Sequence, residues 1–194
     1  LKEMPYVIGN NTGLQQIHQI IETGNFHNTN RTATIQTCDL TDDFVKFALS
    51  FIDPDAITPI QIAVDPRSGM VGPILQKVFN PLPVNLSGFN LKANGQLPIG
   101  QGLDPKQAQN HADLQKYVVD KNADVGFAFD GDGDRFFVVD DRGQFVPSDF
   151  IIALIAEYLL QKHPGSKVIY DIRGSWAIRD TIEINNGKIG RAHV

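Results

Sequence analysis

The chain has 194 residues, 42% of them hydrophobic and 20% charged, with a formal net charge of −5. That is ordinary globular composition, and 17 scattered Lys and Arg residues in an acidic chain argue against a nucleic-acid-binding face. The most apolar window, FIIALIAEYLL (150–160), carries Glu157 and falls well short of the roughly 20 residues a bilayer demands, so no membrane partner is expected. A lone cysteine, Cys38, precludes an internal disulfide and fits a reducing, cytoplasmic setting.

In chain order, GLQQIHQIIETG (13–24) sets Leu14, Ile17, Ile20 and Ile21 at helical spacing between two glycines, with His18 a surface residue beside the stripe. In TDDFVKFALSFI (41–52), Thr41 is placed to cap a helix whose positive end meets Asp42 and Asp43. Phe44, Ala48 and Phe51 share one face of it and read as core. IQIAVDPRSGMVGPILQKVF (60–79) predicts a buried strand, a turn at Gly69 and a helix to Phe79, and LPVNLSGF (82–89) a second strand at βαβ spacing. The stretch 90–110, rich in Gly, Pro and Asn, reads as a long loop of the kind that carries function.

A helix is expected over 110–121, with His111 at its start in a structural role. Strands follow at 123–129, 135–141 and 144–146, then a helix from a Ser148 cap to about Gln161. KVIYDIR (167–173) predicts a strand, 174–186 a helix, and KIGRAHV the opening of another strand. Accordingly, 40–147 is expected to be one α/β domain, 1–39 the tail of a preceding α/β domain, and 148–194 the start of a third. The chain is thus expected to be an interior piece of a longer protein.

Between two predicted strands stands DGDGDR (130–135). Alternate side chains of an extended chain point the same way, so Asp130, Asp132 and Asp134 can converge, while Gly131 and Gly133 let the backbone bend. Three hard oxygen donors suit Mg2+ or Ca2+, and Mg2+ characteristically keeps positions open for water and phosphate. A calcium EF-hand also opens D-x-D-x-D, but it needs glycine where Arg135 stands and helices on both sides. A haloacid-dehalogenase-like phosphatase loop would carry Thr or Val soon after an aspartate pair and then a helix. A solvated acidic hairpin turn leaves three crowded carboxylates without a counterion.

FAFDGDGDRFFVVDDRG (127–143) resembles the metal-binding loop of the α-D-phosphohexomutases, the phosphomannomutase and phosphoglucomutase superfamily. IAVDPRSGMVGP is similar to the segment that opens the family's second domain, VIYDIRGSW to a strand of its third, and RAHV to the start of its Gly-His loop. The arrangement best suits the bacterial phosphomannomutase/phosphoglucomutase branch, with glucosamine phosphate an alternative sugar. The resemblance implies an α/β fold of three layers, a mixed sheet with helices on both faces. It further implies that Asp130, Asp132 and Asp134 bind Mg2+, and that Arg135, Arg173 and His193 bind phosphate or substrate. The partners implied are a hexose phosphate and the remaining domains of the parent chain. The reaction implied interconverts hexose 1-phosphate and hexose 6-phosphate through a phosphoserine and a bisphosphate intermediate. No catalytic residue is assigned within the chain, because the phosphoserine loop is nowhere in it, and the chain alone is expected to be inactive. The competing reading is a non-catalytic metal-binding module or a degenerate mutase relative.

Overall fold

The computed structural model describes residues 8–27, 33–96 and 108–191, in two compact units, Leu1–Asp39 and Leu40–Val194. In the first unit, helix α1 (Leu14–Thr23) stops at Gly24, which takes the left-handed conformation (φ 64°) and donates its N–H to Ile21 O. Leu14, Ile17, Ile20 and Ile21 are all exposed in this unit.

The second unit begins with α2 (Thr41–Leu49). Thr41 is the first helical residue and does not cap; Leu40 occupies the cap position and makes no side-chain hydrogen bond. The helix ends at Leu49, short of the expected Ile52. Its aromatic face is also not core. Phe44, Phe47 and Phe51 are half or more exposed, and Phe47 and Phe51 meet edge to face at 4.9 Å. The physical reason is that α2 packs mainly on one neighbour, α3 (Gly72–Phe79), so only part of its circumference is covered.

Five strands form one mixed sheet in the order β2-β1-β3-β4-β5: β1 (Ile60–Asp65), β2 (Val84–Gly88), β3 (Val125–Phe129), β4 (Phe136–Asp140) and β5 (Phe145–Val146). β1 runs parallel to β2 and β3, whereas β4 is antiparallel to β3 and to β5. The period-2 alternation divides the side chains between two faces. Ala63, Ala128, Phe137 and Val139 pack with Leu114 and Val118 of α4 (Ala108–Lys121). Ile62 and Val64 pack with Leu75 of α3, with Val125, Phe127 and Phe129 alongside. Both faces are therefore covered by helices, as the fold class expected from sequence requires. Full burial of a Leu or Val is worth about 1.5–3 kcal/mol, so Leu114 and Val118, both 0% exposed, are what hold the otherwise polar α4 in place.

After β5, α5 (Ser148–Lys162) begins with Pro147 at the cap position, so Ser148 does not cap it. The proline, at φ −56° and ψ 135°, supplies the extended entry that a capping serine would otherwise define. β6 (Lys167–Tyr170), α6 (Trp176–Ile184) and β7 (Lys188–Arg191) form a parallel βαβ pair, with Ala156 and Leu160 of α5 packed on Ile178 and Ile182. β6 ends at Tyr170, three residues before the expected Arg173. There the Asp171 carboxylate takes the Arg173 backbone N–H (2.8 Å) and Gly174 N–H bonds Asp171 O (2.9 Å), which closes a turn. No helix among the described residues is long and apolar enough to cross a membrane.

Candidate metal centre

β1 and β3 lie side by side with Asp65 in register with Ala128, so the chain leaving β1 and the chain leaving β3 emerge at the same sheet edge. That edge, the carboxyl end of parallel strands, is where open α/β sheets place their ligands. From β3 the chain enters Asp130–Arg135 and returns as β4.

Asp130 organises this connection. It is 1% exposed, and its Oδ1 accepts the backbone N–H groups of Gly133 (3.1 Å) and Arg135 (3.2 Å). Its Oδ2 lies 2.6 Å from Arg135 Nη2, and Arg135 Nε reaches Asp134 Oδ1 at 3.3 Å. Burial pushes the Asp130 pKa up, but the Arg135 backbone N–H, the guanidinium charge and the Asp134 side chain outweigh it and hold the carboxyl below its ordinary value. Gly133 turns through φ 75°, and a Cβ there would overlap Val71 Cγ2. The result is convergence. One carboxylate oxygen from each of Asp130, Asp132 and Asp134 lies within 4.8 Å of the others, with Asp130 buried and the other two exposed. Three hard, anionic oxygens open to solvent on one side are the donor set that a divalent cation with free positions for phosphate uses, so these residues fit Mg2+.

Beneath the loop stands a group that the sequence signals only as a turn at Gly69. Pro66 O accepts the Gly69 N–H (2.8 Å) across two central residues, Arg67 (φ 54°) and Ser68 (φ 53°), both left-handed. Neither is glycine, and each costs about 1–2 kcal/mol in that conformation. Asp65, 1% exposed, offsets this: its Oδ1 accepts Arg67 N–H (2.9 Å) and Asn90 Nδ2 (3.0 Å), while Oδ2 stands 3.6 Å from Arg67 Nη1. Arg67, likewise 1% exposed, donates Nη1 to Asn110 O in α4 (2.6 Å). Beside it His111 is buried edge-on to the Phe145 ring at 4.6 Å, with no hydrogen-bond partner at either ring nitrogen among the described residues. Burial, reinforced by the Arg67 charge, lowers the His111 pKa. The signal for this turn was present in DPRSG, an aspartate two residues before an arginine and a glycine two after it, but a buried arginine has no signature that separates it from an exposed one.

The other expected site residues lie elsewhere. Arg173 stands in the turn between β6 and α6, where Nε and Nη2 grip Asp171 at 2.8 and 3.0 Å. That grip, with the Arg173 backbone N–H, lowers Asp171 to about 2. Tyr170, Ile172, Ser175, Trp176 and Arg179 line an open recess of about 210 Å³ beside it, with Arg179 lying 5.2 Å over the Trp176 ring. His193 falls outside the described residues. The structure therefore pairs Arg135 with Asp130 and Asp134 and sets Arg173 in a different turn.

Comparison with known proteins adds the following. The family profile described as "Phosphoglucomutase/phosphomannomutase, alpha/beta/alpha domain II" matches residues 41–143. A phosphomannomutase of Salmonella montevideo is 33% identical over 87% of this chain and 38% of its own length. One from Escherichia coli is 32% identical over 93% of this chain and 41% of its own length. A phosphoglucomutase/phosphomannomutase family protein from Burkholderia thailandensis superposes with a TM-score of 0.77 at 26% identity, over 97% of this chain and 40% of that one. The chain thus spans about two fifths of the length of these relatives.

Proposed function

This chain belongs to the phosphoglucomutase/phosphomannomutase family, and from that premise we propose that its parent protein interconverts hexose 1-phosphate and hexose 6-phosphate, mannose or glucose, through a phosphoserine and a bisphosphate intermediate. Within that protein residues 40–147 form the second domain, which supplies the Mg2+ loop, 1–39 close the first domain, and 148–194 open the third. The observation that carries the reading is the convergence of Asp130, Asp132 and Asp134 within 4.8 Å at a sheet edge, with Arg135 bonded to two of them.

Asp130, Asp132 and Asp134 hold Mg2+, which when bound supplies Lewis-acid polarisation of a phosphoryl oxygen. The chain's own residues account for the rest. Against the effect of burial, the Arg135 backbone N–H and guanidinium hold the Asp130 carboxyl below its ordinary value, so a buried anion is in place before any ligand arrives. Arg135, whose side chain is 58% exposed, can turn its guanidinium to a phosphate oxygen without leaving the loop. Phosphoryl transfer asks the protein mainly for position and charge, and this loop provides both. Arg173, 87% exposed at its side chain, and His193 serve as further phosphate or substrate contacts, with Asp171 keeping Arg173 oriented until phosphate competes for it. The substrate is a hexose phosphate, the other partners are the remaining domains of the parent, and the setting is cytoplasmic.

The test is an assay of the full-length parent for Mg2+-dependent turnover of mannose 1-phosphate and glucose 1-phosphate with a sugar bisphosphate activator. Turnover that Asp132→Asn abolishes is expected, while the 194-residue chain alone shows none. A folded parent that binds Mg2+ and converts neither sugar, nor glucosamine 1-phosphate, overturns the mutase reading in favour of a binding module or a degenerate relative.

A further inference from the structure

The aspartate loop is not self-supporting. Met70 N–H, leaving the left-handed turn, donates to Gly131 O at 3.0 Å, and this bond joins the β1–α3 turn to the β3–β4 loop between two of the aspartates. Gly69 lies directly against the same peptide: a Cβ there would overlap Gly131 O and stand 3.0 Å from Gly131 C and Cα. Val71 fills the space beside Gly133 on the other side of Asp132. The loop's backbone is therefore held from below at both glycines.

The turn itself is over-determined. Two non-glycine residues are kept left-handed, Asp65 and Arg67 are buried together under them, and Ser68 is tied on both sides, its N–H to Asn90 O (3.0 Å) and its O to Gly95 N–H (3.1 Å). Strained backbone of this kind persists where surrounding structure imposes it, and it collects where geometry matters for function.

We propose that the turn Pro66–Val71 is a positioning element for the divalent cation: it fixes the Gly131 peptide, and with it the spacing between Asp130 and Asp132, before the ion arrives. Arg67 and Asp65 act through the turn and touch no ligand. Gly69 is the point of contact, and glycine is required there because any side chain drives the Gly131 peptide away and spreads the carboxylates. A preset donor array binds more tightly than one that must be ordered on binding. Coupling of this sort is reciprocal, so the ion must in turn stabilise the turn.

The inference rests on the cation reading of the aspartate loop, and the experiment separates the two. Mn2+ is titrated into the full-length parent and followed by electron paramagnetic resonance, for the unaltered protein and for Asp132→Asn, Gly69→Ala and Leu160→Ala. Leu160 is buried in the α5–α6 cluster, so its truncation lowers stability without reaching the loop. Binding that Asp132→Asn removes, that Gly69→Ala weakens about tenfold or more, and that Leu160→Ala leaves within about twofold is the expected result. Gly69→Ala binding like the unaltered parent sinks the positioning role and leaves the cation reading standing. No binding by the unaltered parent withdraws both. If Gly69→Ala does not fold, amide exchange of the unaltered parent decides. Mg2+ must then slow exchange at Met70 N–H along with Gly133 and Arg135, and protection confined to the latter two overturns the proposal.

Discussion

The three aspartates are unequal, and replacing them one at a time in metal-free solution should reveal it. Asp130 Oδ1 ends two backbone hydrogen bonds in a buried setting, whereas Asp132 and Asp134 are exposed. Hydrogen bonds to a charged group contribute about 1.5–3 kcal/mol each, roughly twice those to a neutral one. Asp130→Asn keeps an acceptor but loses the charge, forfeiting about half of each bond, and it turns an amide N–H towards the Arg135 guanidinium. A net loss of about 2 kcal/mol follows, or about 4–8 °C in Tm for a chain of this size. Asp132→Asn removes an exposed carboxylate from a crowded site and should move Tm by no more than about 2 °C. Circular dichroism melts in chelator measure both. Repeating them with Mg2+ at about 100 times its dissociation constant should stabilise the unaltered chain by about 2.7 kcal/mol and the Asp132→Asn chain not at all. Equal losses for the two variants in chelator would refute the assignment of Asp130 as the organising residue.

Two further outcomes are expected. His111 is held below its ordinary value by burial, with Arg67 adding to the effect, so the unfolded chain takes up a proton near pH 6.5 before the folded chain does. Stability is then whole above about pH 6.5 and falls as pH drops from there towards the folded value. His111→Leu should flatten that limb of the urea midpoint against pH, and an unchanged limb counts against it. In the sheet, a Cβ on Gly126 would stand 2.6 Å from Val118 Cγ2 and 3.3 Å from Leu114 Cγ. Gly126→Ala should therefore cost about 1–3 kcal/mol, and adding Val118→Ala should cost less than the separate effects together; strict additivity in a urea-denaturation cycle would show that the two positions do not compete for space.

Alternating βα patterning and the aspartate loop were legible because both are local. The loop's chemistry is written in adjacent residues, and β1, β3 and β4 are dense in apolar and β-branched or aromatic side chains. What escaped depends on how neighbours, near or distant in sequence, meet in space. Arg67 became a buried residue only because Asn110 and Asp65 come to meet it, and DPRSG alone cannot announce that. The aromatic face of α2 has the spacing of a core stripe, yet spacing does not say how much of a helix its neighbours will cover. Thr41 and Ser148 are the right residue types for caps but sit one position inside their helices, where Leu40 and Pro147 take the cap positions. Arg173 was expected as the last residue of a strand, but Asp171 ends the strand sooner by offering its own carboxylate to the next turn.

The division of the candidate metal centre between two connections also sets an order in time. The β3–β4 hairpin is local and can close within microseconds, carrying all three aspartates with it. The turn that braces them arrives only when Ile62 finds Val125 and β1 docks in parallel, a contact that must first overcome the closure entropy of the long segment between. An early hairpin thus gathers the three aspartates without the turn that braces them, and on the proposed reading the preset cation geometry follows only with the long-range β1–β3 pairing. Under the proposed cation reading, binding would mark completed folding and would not initiate it.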